Sequence, residues 1–258
     1  MSERLSDVRG FQTLLTKEVR RFMSVWGQTV TAPVVTALLY LLVFSHAMSG
    51  RFSAYPGVSY TQFLVPGLMM MSIIQNAFAN TSSSLTQSKM MGNLVFILMA
   101  PLSAFEFFSA YVIAALLRAA MVGVVLYVVT WPFVHLQVAA PAVLVAMFAF
   151  SGGTLAVLGL IAGIIATKFD HLAAFQNFII LPLSFLSGVF YSIHSLPLFW
   201  AHLSLFNPFF YLIDGFRYGF FGVGDAPLLQ SLLWAAGTFG VVSAVCLWML
   251  ARGYKLRP

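Results

Sequence analysis

The sequence predicts an all-α membrane protein with six transmembrane helices, an amphipathic N-terminal helix at the membrane interface, and re-entrant helices before the last span. Two features of the composition predict this class. Hydrophobic residues make up 60% of the 258 positions, and charged residues make up only 8%, whereas soluble domains are roughly one quarter charged. A third feature is the distribution of lysine and arginine, which places both chain termini on the cytoplasmic side.

The first predicted element is an amphipathic helix over residues 1–26. Apolar residues recur there at helical spacing, and charged residues fill most other positions. A helix with a basic face and an apolar face lies in the plane of a membrane interface, although a cytosolic helix packed on a partner gives the same pattern. A cleavable signal peptide is not predicted, because no apolar core follows the basic start. The apolar positions are Val8, Phe11, Leu15, Val19, Phe22 and Met23.

Six apolar segments are long enough to cross a bilayer, which takes about 20 helical residues. These segments are 27–48, 60–83, 104–131, 141–166, 172–192 and 228–250. Between the last two, residues 193–227 are apolar but interrupted by Pro197, Pro208 and several glycines. We expect two short extracytoplasmic re-entrant helices there, which are tolerated where protein or water surrounds them. Because no repeat or soluble domain is visible, residues 1–258 are expected to form one transmembrane domain.

The basic residues predict the orientation. With both termini inside, ten lysines and arginines lie on the cytoplasmic side, two lie outside, and Arg118 falls within the third span. Such an excess inside follows the positive-inside rule, and it predicts a multi-pass protein of the cell inner (plasma) membrane. The ten are Arg4, Arg9, Lys17, Arg20, Arg21, Lys89, Lys168, Arg252, Lys255 and Arg257, and the two are Arg51 and Arg217.

Several kinds of chemistry are not predicted. The chain has no GxxxxGK[ST] phosphate loop, no HExxH motif and a single cysteine, Cys246, so a disulfide within the chain and a thiolate metal cluster are excluded. The Ser-Gly-Gly run at 151–153 and the GxxxG pair Gly159 and Gly163 indicate helix packing within a subunit rather than a catalytic serine. We expect no catalytic residue, no metal, no cofactor bound by this chain and no nucleic-acid partner.

Five segments, in the same order over nearly the whole chain, resemble the ABC-2 family of ABC-exporter permeases and in particular its YadH type. The resemblance implies a permease subunit: two copies of this chain pair with two copies of a separate ATP-binding subunit, which holds ATP and Mg. The segments are QTVTAPVVTALLYLLVF at 28–44, YTQFLVPGLMMMSIIQNAFAN at 60–80, LMAPLS at 98–103, LPLSFLSGVFYSIHSLP at 181–197 and NPFFYLIDGFRYGFFGV at 207–223.

The resemblance also implies a coupling helix between the second and third spans, seated in a groove of the ATP-binding subunit. Here that loop is residues 85–100, and the contacts expected are Lys89, Met90, Met91 and Asn93. Relatives usually carry acidic residues in the second half of this loop, where this chain has the apolar run 94–98. That run either touches the ATP-binding subunit as well or packs against the interface helix.

Two ionisable residues, Asp214 and Arg217, lie three positions apart in an aromatic segment. Side chains at i and i+3 of a helix meet, so the sequence predicts an ion pair near the outer surface. Two roles stay open for it: fixing the re-entrant hairpin, or contacting substrate. The surrounding aromatic residues either form an interfacial belt or close the outer exit of the transport path as a plug. The residues predicted to form such a gate are Phe206, Phe210 and Tyr218.

Polar residues inside the spans are further candidates for a transport path. Gln75 and Asn76 on the second span either bond to neighbouring helices or line a hydrophilic route. Arg118 is either a structural anchor or part of the path, because an intramembrane charge needs protein or water around it. Glu106, near the cytoplasmic end of the third span, is expected to bind an arginine of the interface helix: Arg20 or Arg21.

The expected function is export, driven by ATP, of an amphiphilic cargo such as a glycolipid, lipid, polysaccharide or drug. Predominantly apolar spans suit such a cargo better than a free ion. The alternative is a stand-alone secondary transporter driven by an ion gradient. Such transporters ordinarily show inverted repeats and discontinuous helices in matching halves, and the sequence shows neither.

Overall fold

The computed structural model describes residues 2–48 and 55–255, with side chains for 9–47 and 55–255. Every regular element in these ranges is helical, which confirms the all-α class. Four residues named above lie outside these limits, and the predictions that depend on them stay untested. Arg51 and Arg257 are outside the described residues, and Arg4 and Val8 are outside the described side chains.

The helices follow one another with short connections. A π-helical turn, Gln176–Ile180, joins α7 to α8, and a 3-10 turn, Ile193–Ser195, precedes α9. In chain order the α-helices are α1 (Ser2–Met23), α2 (Trp26–Met48), α3 (Tyr60–Met90), α4 (Leu94–Met99), α5 (Ala104–Thr130), α6 (Pro141–Ile165), α7 (Phe169–Phe175), α8 (Leu181–Phe185), α9 (Leu198–Phe206), α10 (Pro208–Phe221) and α11 (Leu228–Ala251).

Within the described residues, five helices are long and apolar enough to cross a membrane: α2, α3, α5, α6 and α11. Four of the predicted segments end within two residues of these helices at both ends, and the second, 60–83, begins with α3 but stops short of its end at Met90. The predicted fifth span, 172–192, differs. Its helical run ends at Phe185, and the chain then turns through Gly188 with φ 75°, so six spans stays a prediction.

Helix α3 is the central helix of the bundle. Of its most apolar window, 78% is buried within the chain, against 22% for α2 and 17% for α11. Two glycines of α6 permit the close approach of α3: a Cβ at Gly159 would collide with Thr81 and the Phe78 carbonyl, and one at Gly163 would lie 3.0 Å from Leu85 Cβ. The predicted packing role of this GxxxG pair within a subunit is confirmed.

Capping residues set where two of the spanning helices begin. Ser59 caps α3 by accepting a hydrogen bond from the Gln62 N–H, and the Gln62 side chain accepts one in return from the Ser59 N–H. At α5, Glu106 Oε2 accepts hydrogen bonds from the N–H and the hydroxyl of Ser103, both at 2.8 Å. Glu106 therefore caps its own helix, and the predicted contact with Arg20 or Arg21 is wrong.

The bundle has two distinct ends. We call the end that carries α4, the start of α5 and the ends of α3, α6 and α11 the α4 end. We call the opposite end, which carries α9, α10 and the start of α6, the α10 end. A backbone hydrogen bond there joins the start of α6 to α10: the N–H of Ala140, the residue before α6, donates to the Gly219 carbonyl at 2.9 Å. Which end faces the cytoplasm stays a prediction.

Candidate functional site

Helix α10 lies inside the bundle. Its two ends are set by residues that commonly begin and end helices: asparagine and proline at the start, and glycine at the end. Asn207 accepts the Phe209 N–H at 3.0 Å through Oδ1 and donates to the Leu183 carbonyl at 2.7 Å through Nδ2. Pro208 occupies the first helical position, and Gly222 ends the helix with φ 70°. Two short helices, α9 and α10, were expected within 193–227 and are present.

Asp214 joins α10 to the segment that enters α11. Its carboxylate accepts hydrogen bonds from two successive backbone groups, the Asp225 N–H at 2.8 Å and the Ala226 N–H at 3.0 Å. These groups precede the first turn of α11. Because Asp214 is buried, this arrangement satisfies both carboxylate oxygens without a basic partner.

Arg217 binds a different part of the chain. Its Nη2 donates to the Gly188 carbonyl at 2.9 Å, and its guanidinium carbon lies 3.8 Å from the centre of the Phe63 ring. Arg217 is only 1% exposed, so its charge is stabilised by a carbonyl and an aromatic face. The ion pairs among the described residues involve Glu18 instead, and the predicted Asp214–Arg217 pair is wrong.

Other polar groups hold the same turn, residues 186–193. Asp225 accepts the Ser192 hydroxyl at 2.9 Å and the Ile193 N–H at 2.8 Å. The Tyr60 hydroxyl donates to the Phe190 carbonyl at 3.0 Å. Nearby, burial raises the pKa of the Tyr55 phenol, and the charge of Arg217 opposes that rise. We call Tyr60, Asp214, Arg217 and Asp225 the α10 cluster.

The aromatic residues predicted to form a gate differ in their exposure. Phe206 ends α9 and is 82% exposed, whereas Phe210 is buried and packs edge-on against Tyr211 with ring centres 5.1 Å apart. Tyr218 is half-buried. A plug built from these three residues stays a prediction.

At the other end, the predicted coupling residues divide between two orientations. The Lys89 ammonium donates to carbonyls at the end of α6: Ile164 at 2.7 Å, Ala166 at 2.9 Å and Gly163 at 3.4 Å. Lys89 therefore caps α6. Met90, Met91 and Asn93 are exposed, and so is most of α4, which buries only Leu94.

A buried polar stripe runs along one face of α3. Its residues recur every four positions, which places them on one side of a helix: Ser72, Asn76, Asn80 and Ser84. Asn76 accepts from Arg118 Nη2 at 3.1 Å, and Asn80 Oδ1 accepts from Arg21 Nη2 at 2.8 Å. Gln75 lies outside the stripe, is half-buried, and has a buried Nε2 with no partner.

Helix α1 is bound to this stripe by the carboxylate of Glu18, one of the charged residues that lie between the apolar positions of this helix. Glu18 is 0% exposed, accepts the Ser84 hydroxyl at 2.6 Å, and forms ion pairs with Lys17 at 2.7 Å and Arg21 at 3.3 Å. Within the described side chains of α1, the buried positions are Leu14, Glu18 and Phe22. Their spacing of four residues is visible in the sequence, but a charged residue at an interface is ordinarily expected to face water.

Together, the long apolar helices and the buried polar clusters at both ends define a multi-pass membrane protein. Comparison with known proteins assigns the family. The model of the ABC-2 type transporter family matches residues 9–221, and the chain therefore belongs to the ABC-2 type transporter family. This membership confirms the resemblance described above.

Two relatives show how far the similarity extends. The chain is 36% identical over 253 residues to the inner membrane transport permease YadH of Escherichia coli (strain K12), which covers 95% of this chain and 96% of that protein. It is 24% identical over 204 residues to nodulation protein J of Rhizobium leguminosarum bv. viciae, covering 77% of this chain and 78% of that protein. The chain is accordingly a multi-pass inner-membrane protein.

Proposed function

We propose that this chain is the permease subunit of an ATP-driven exporter that moves an amphiphilic cargo, such as a glycolipid, lipid, polysaccharide or drug, out across the inner membrane. Membership of the ABC-2 family supports a transport role beside a separate ATP-binding subunit. The chain itself has no phosphate loop, so ATP and Mg belong to that partner. Two copies of each chain would make the complete transporter.

One observation carries the proposal: large apolar side chains are exposed beyond the end of the spans. Lys89 reaches the last carbonyls of α6, so the residues after it lie past the end of that helix. Met90, Met91, Phe96 and Met99 are nevertheless exposed. We call the surface formed by residues 90–99 the coupling surface. Exposed apolar patches outside hydrocarbon mark protein interfaces.

The coupling surface and the α10 cluster lie at opposite ends of the same helix. At one end of α3, Lys89 binds the end of α6. At its other end, Phe63 contacts the guanidinium of Arg217. α3 is 31 residues long, or about 46 Å at 1.5 Å per residue. A rigid helix of this length transmits a displacement at the coupling surface to the turn that α10 holds.

The exposure of the other helices indicates roles for the remaining candidate residues. α2 and α11 present largely exposed faces, which supply surface for lipid and for the second copy. α3 is too buried to border a wide path between two copies, so Gln75 and Asn76 act chiefly within the subunit. Phe206 on the exposed α9 and the half-buried Tyr218 remain candidates for a gate at the outer mouth.

Co-purification tests this function. The chain is expressed with an ATP-binding subunit from the same genome, and ATPase activity is measured in lipid nanodiscs. Met91→Asp is expected to abolish the complex, because it places a charge in an apolar contact. Phe133→Asp is the matched control, since Phe133 is an exposed aromatic residue at the opposite end. Failure of any ATP-binding subunit to associate would instead favour ion-gradient transport by the chain alone.

A further inference from the structure

The polar stripe of α3 faces more positive than negative charge. Lys17 and Arg21 share the single carboxylate of Glu18. Arg118 lies one helical turn further along the stripe, where Asn76 supplies only a neutral amide oxygen at 3.1 Å. Among the described residues, the ion pairs leave Arg118 without an acidic partner. Three cations therefore face one carboxylate.

Arg118 occupies a place where an uncompensated charge is costly. It lies halfway along α5, one of the five candidate spans, about 21 Å from the start of that helix at 1.5 Å per residue. Charged side chains at such depth are rare and face a partner or a polar path. Its Nε is buried without a hydrogen-bond partner, yet the residue as a whole remains partly exposed and is reachable from the bundle surface.

Asn76 does not account for the charge of Arg118. Its amide nitrogen donates to the Ser72 carbonyl at 3.0 Å, which fixes the amide oxygen towards α5. One neutral hydrogen bond orients the guanidinium and leaves the positive charge available to an anion. Leu117, next to Arg118 on α5, is exposed, and so is Leu39 on α2, a helix that contacts α5.

We propose that Arg118, with Arg21 one helical turn nearer the α4 end, binds the phosphate group of an anionic lipid whose head group enters between α1, α3 and α5 from the leaflet on the α4 side of the bundle. Guanidinium groups bind phosphate through paired, charge-assisted hydrogen bonds. Basic pockets between membrane helices take anionic head groups, and the apolar surface of α2 and α5 accommodates the acyl chains. This proposal does not depend on the export function.

Native mass spectrometry of the purified chain in detergent tests the proposal, with phosphatidylglycerol and phosphatidylcholine as probes. The wild type is expected to prefer phosphatidylglycerol. Arg118→Met is expected to weaken phosphatidylglycerol binding by at least about tenfold, the effect of losing one charged hydrogen-bond partner. Arg118→Lys keeps the charge and is expected to retain the preference, since lysine also binds phosphate.

Asn76→Ala is the matched control for a purely structural role. It removes the hydrogen bond to Arg118 but leaves the cation, so lipid preference is expected to persist. If Arg118 only ties α5 to α3, Arg118→Met and Asn76→Ala will lower thermal stability alike and leave lipid binding equal to that of the wild type, which would overturn the proposal. Displacement of bound phosphatidylglycerol by inorganic phosphate would show that the site binds free phosphate rather than a lipid head group, which would also overturn the proposal.

A second measurement uses the wild type alone and does not require a variant to fold. Phosphatidylglycerol with a photoactivatable head group is crosslinked to the protein in nanodiscs, and the modified peptides are mapped. Crosslinks on the facing segments of α1, α3 and α5 are expected. Crosslinks confined to α9 and α11 would contradict the assignment to Arg118.

Discussion

Asp214 and Arg217 lie three residues apart on α10 and bind away from each other. The carboxylate accepts the N–H groups of Asp225 and Ala226, and the guanidinium donates to the Gly188 carbonyl. Each charge fixes a different connection of the chain: Asp214 holds the entry to α11, and Arg217 holds the turn after α8. The two residues therefore act as two anchors of one helix.

Asp214→Asn and Arg217→Met should each destabilise the protein by about 1.5–3 kcal/mol, the range for hydrogen bonds to charged groups. The double variant should be less stable than either single variant, because the two residues hold separate contacts. Reversible unfolding in mild detergent measures all three. Recovery of stability in the double variant would show a mutual ion pair and contradict this arrangement.

Gly67→Ala should destabilise the contact between α3 and α10. A Cβ at this position would lie 3.0 Å from Arg217 Nη2 and 3.0 Å from the Val189 carbonyl. Overpacking of this kind costs about 1–3 kcal/mol, and thermal unfolding measures the loss. Gly237→Ala is the control, since a Cβ there meets nothing within 4 Å. Equal stability of the two variants would contradict the close approach.

Lys89→Met should loosen the end of α6 without dissociating an ATP-binding partner. The ammonium caps three carbonyls at the end of that helix, and a cation at a helix C-terminus contributes about 0.3–2 kcal/mol. Hydrogen–deuterium exchange should quicken in the last turn of α6, and Lys89→Arg should largely restore protection. If Lys89→Met instead dissociates the ATP-binding subunit and leaves exchange in α6 unchanged, Lys89 contacts that subunit directly and this prediction is wrong.

Glu18→Gln should free α1 from the bundle. Removing this buried charge leaves Lys17 and Arg21 without a carboxylate, and because both cations are partly exposed the expected loss is that of hydrogen bonds to a charged group, about 1.5–3 kcal/mol. Limited proteolysis should cut α1 faster in the variant than in the wild type. Asp170→Asn, at the exposed start of α7, is the control, and equal cleavage of the two variants would contradict the anchoring role of Glu18.

Hydropathy predicted the long helices well because their ends coincide with strong local signals. α5 starts at the Ser103–Glu106 capping box, and α10 lies between Asn207-Pro208 and Gly222. The predicted fifth span, 172–192, stays a prediction, because its helical run ends at Phe185 and the apolar sequence continues past that end. Gly188 takes a left-handed conformation after that end, and hydropathy alone does not detect such a turn inside an apolar run.

The partners of charged residues were predicted poorly. Asp214 and Arg217 bind backbone groups, and backbone groups have no sequence signature, so helical spacing suggested a pair that does not form. A charge at the interface is expected to face water, yet Glu18 lies on the buried face of α1, at a spacing of four from Leu14 and Phe22. The spacing of four in the polar stripe is visible in the sequence, but the partners of its asparagines, Arg21 and Arg118, are known only from the structure.

Site-directed crosslinking tests the coupling surface most directly. The chain contains a single cysteine, Cys246, which is buried, so an introduced thiol reacts selectively. Met91→Cys and Phe96→Cys, each expressed in native membranes with the same ATP-binding subunit, are predicted to crosslink to that subunit, whereas Phe133→Cys at the α10 end is not. Absence of adducts at both Met91→Cys and Phe96→Cys, or equal adducts at Phe133→Cys, would contradict the proposed function.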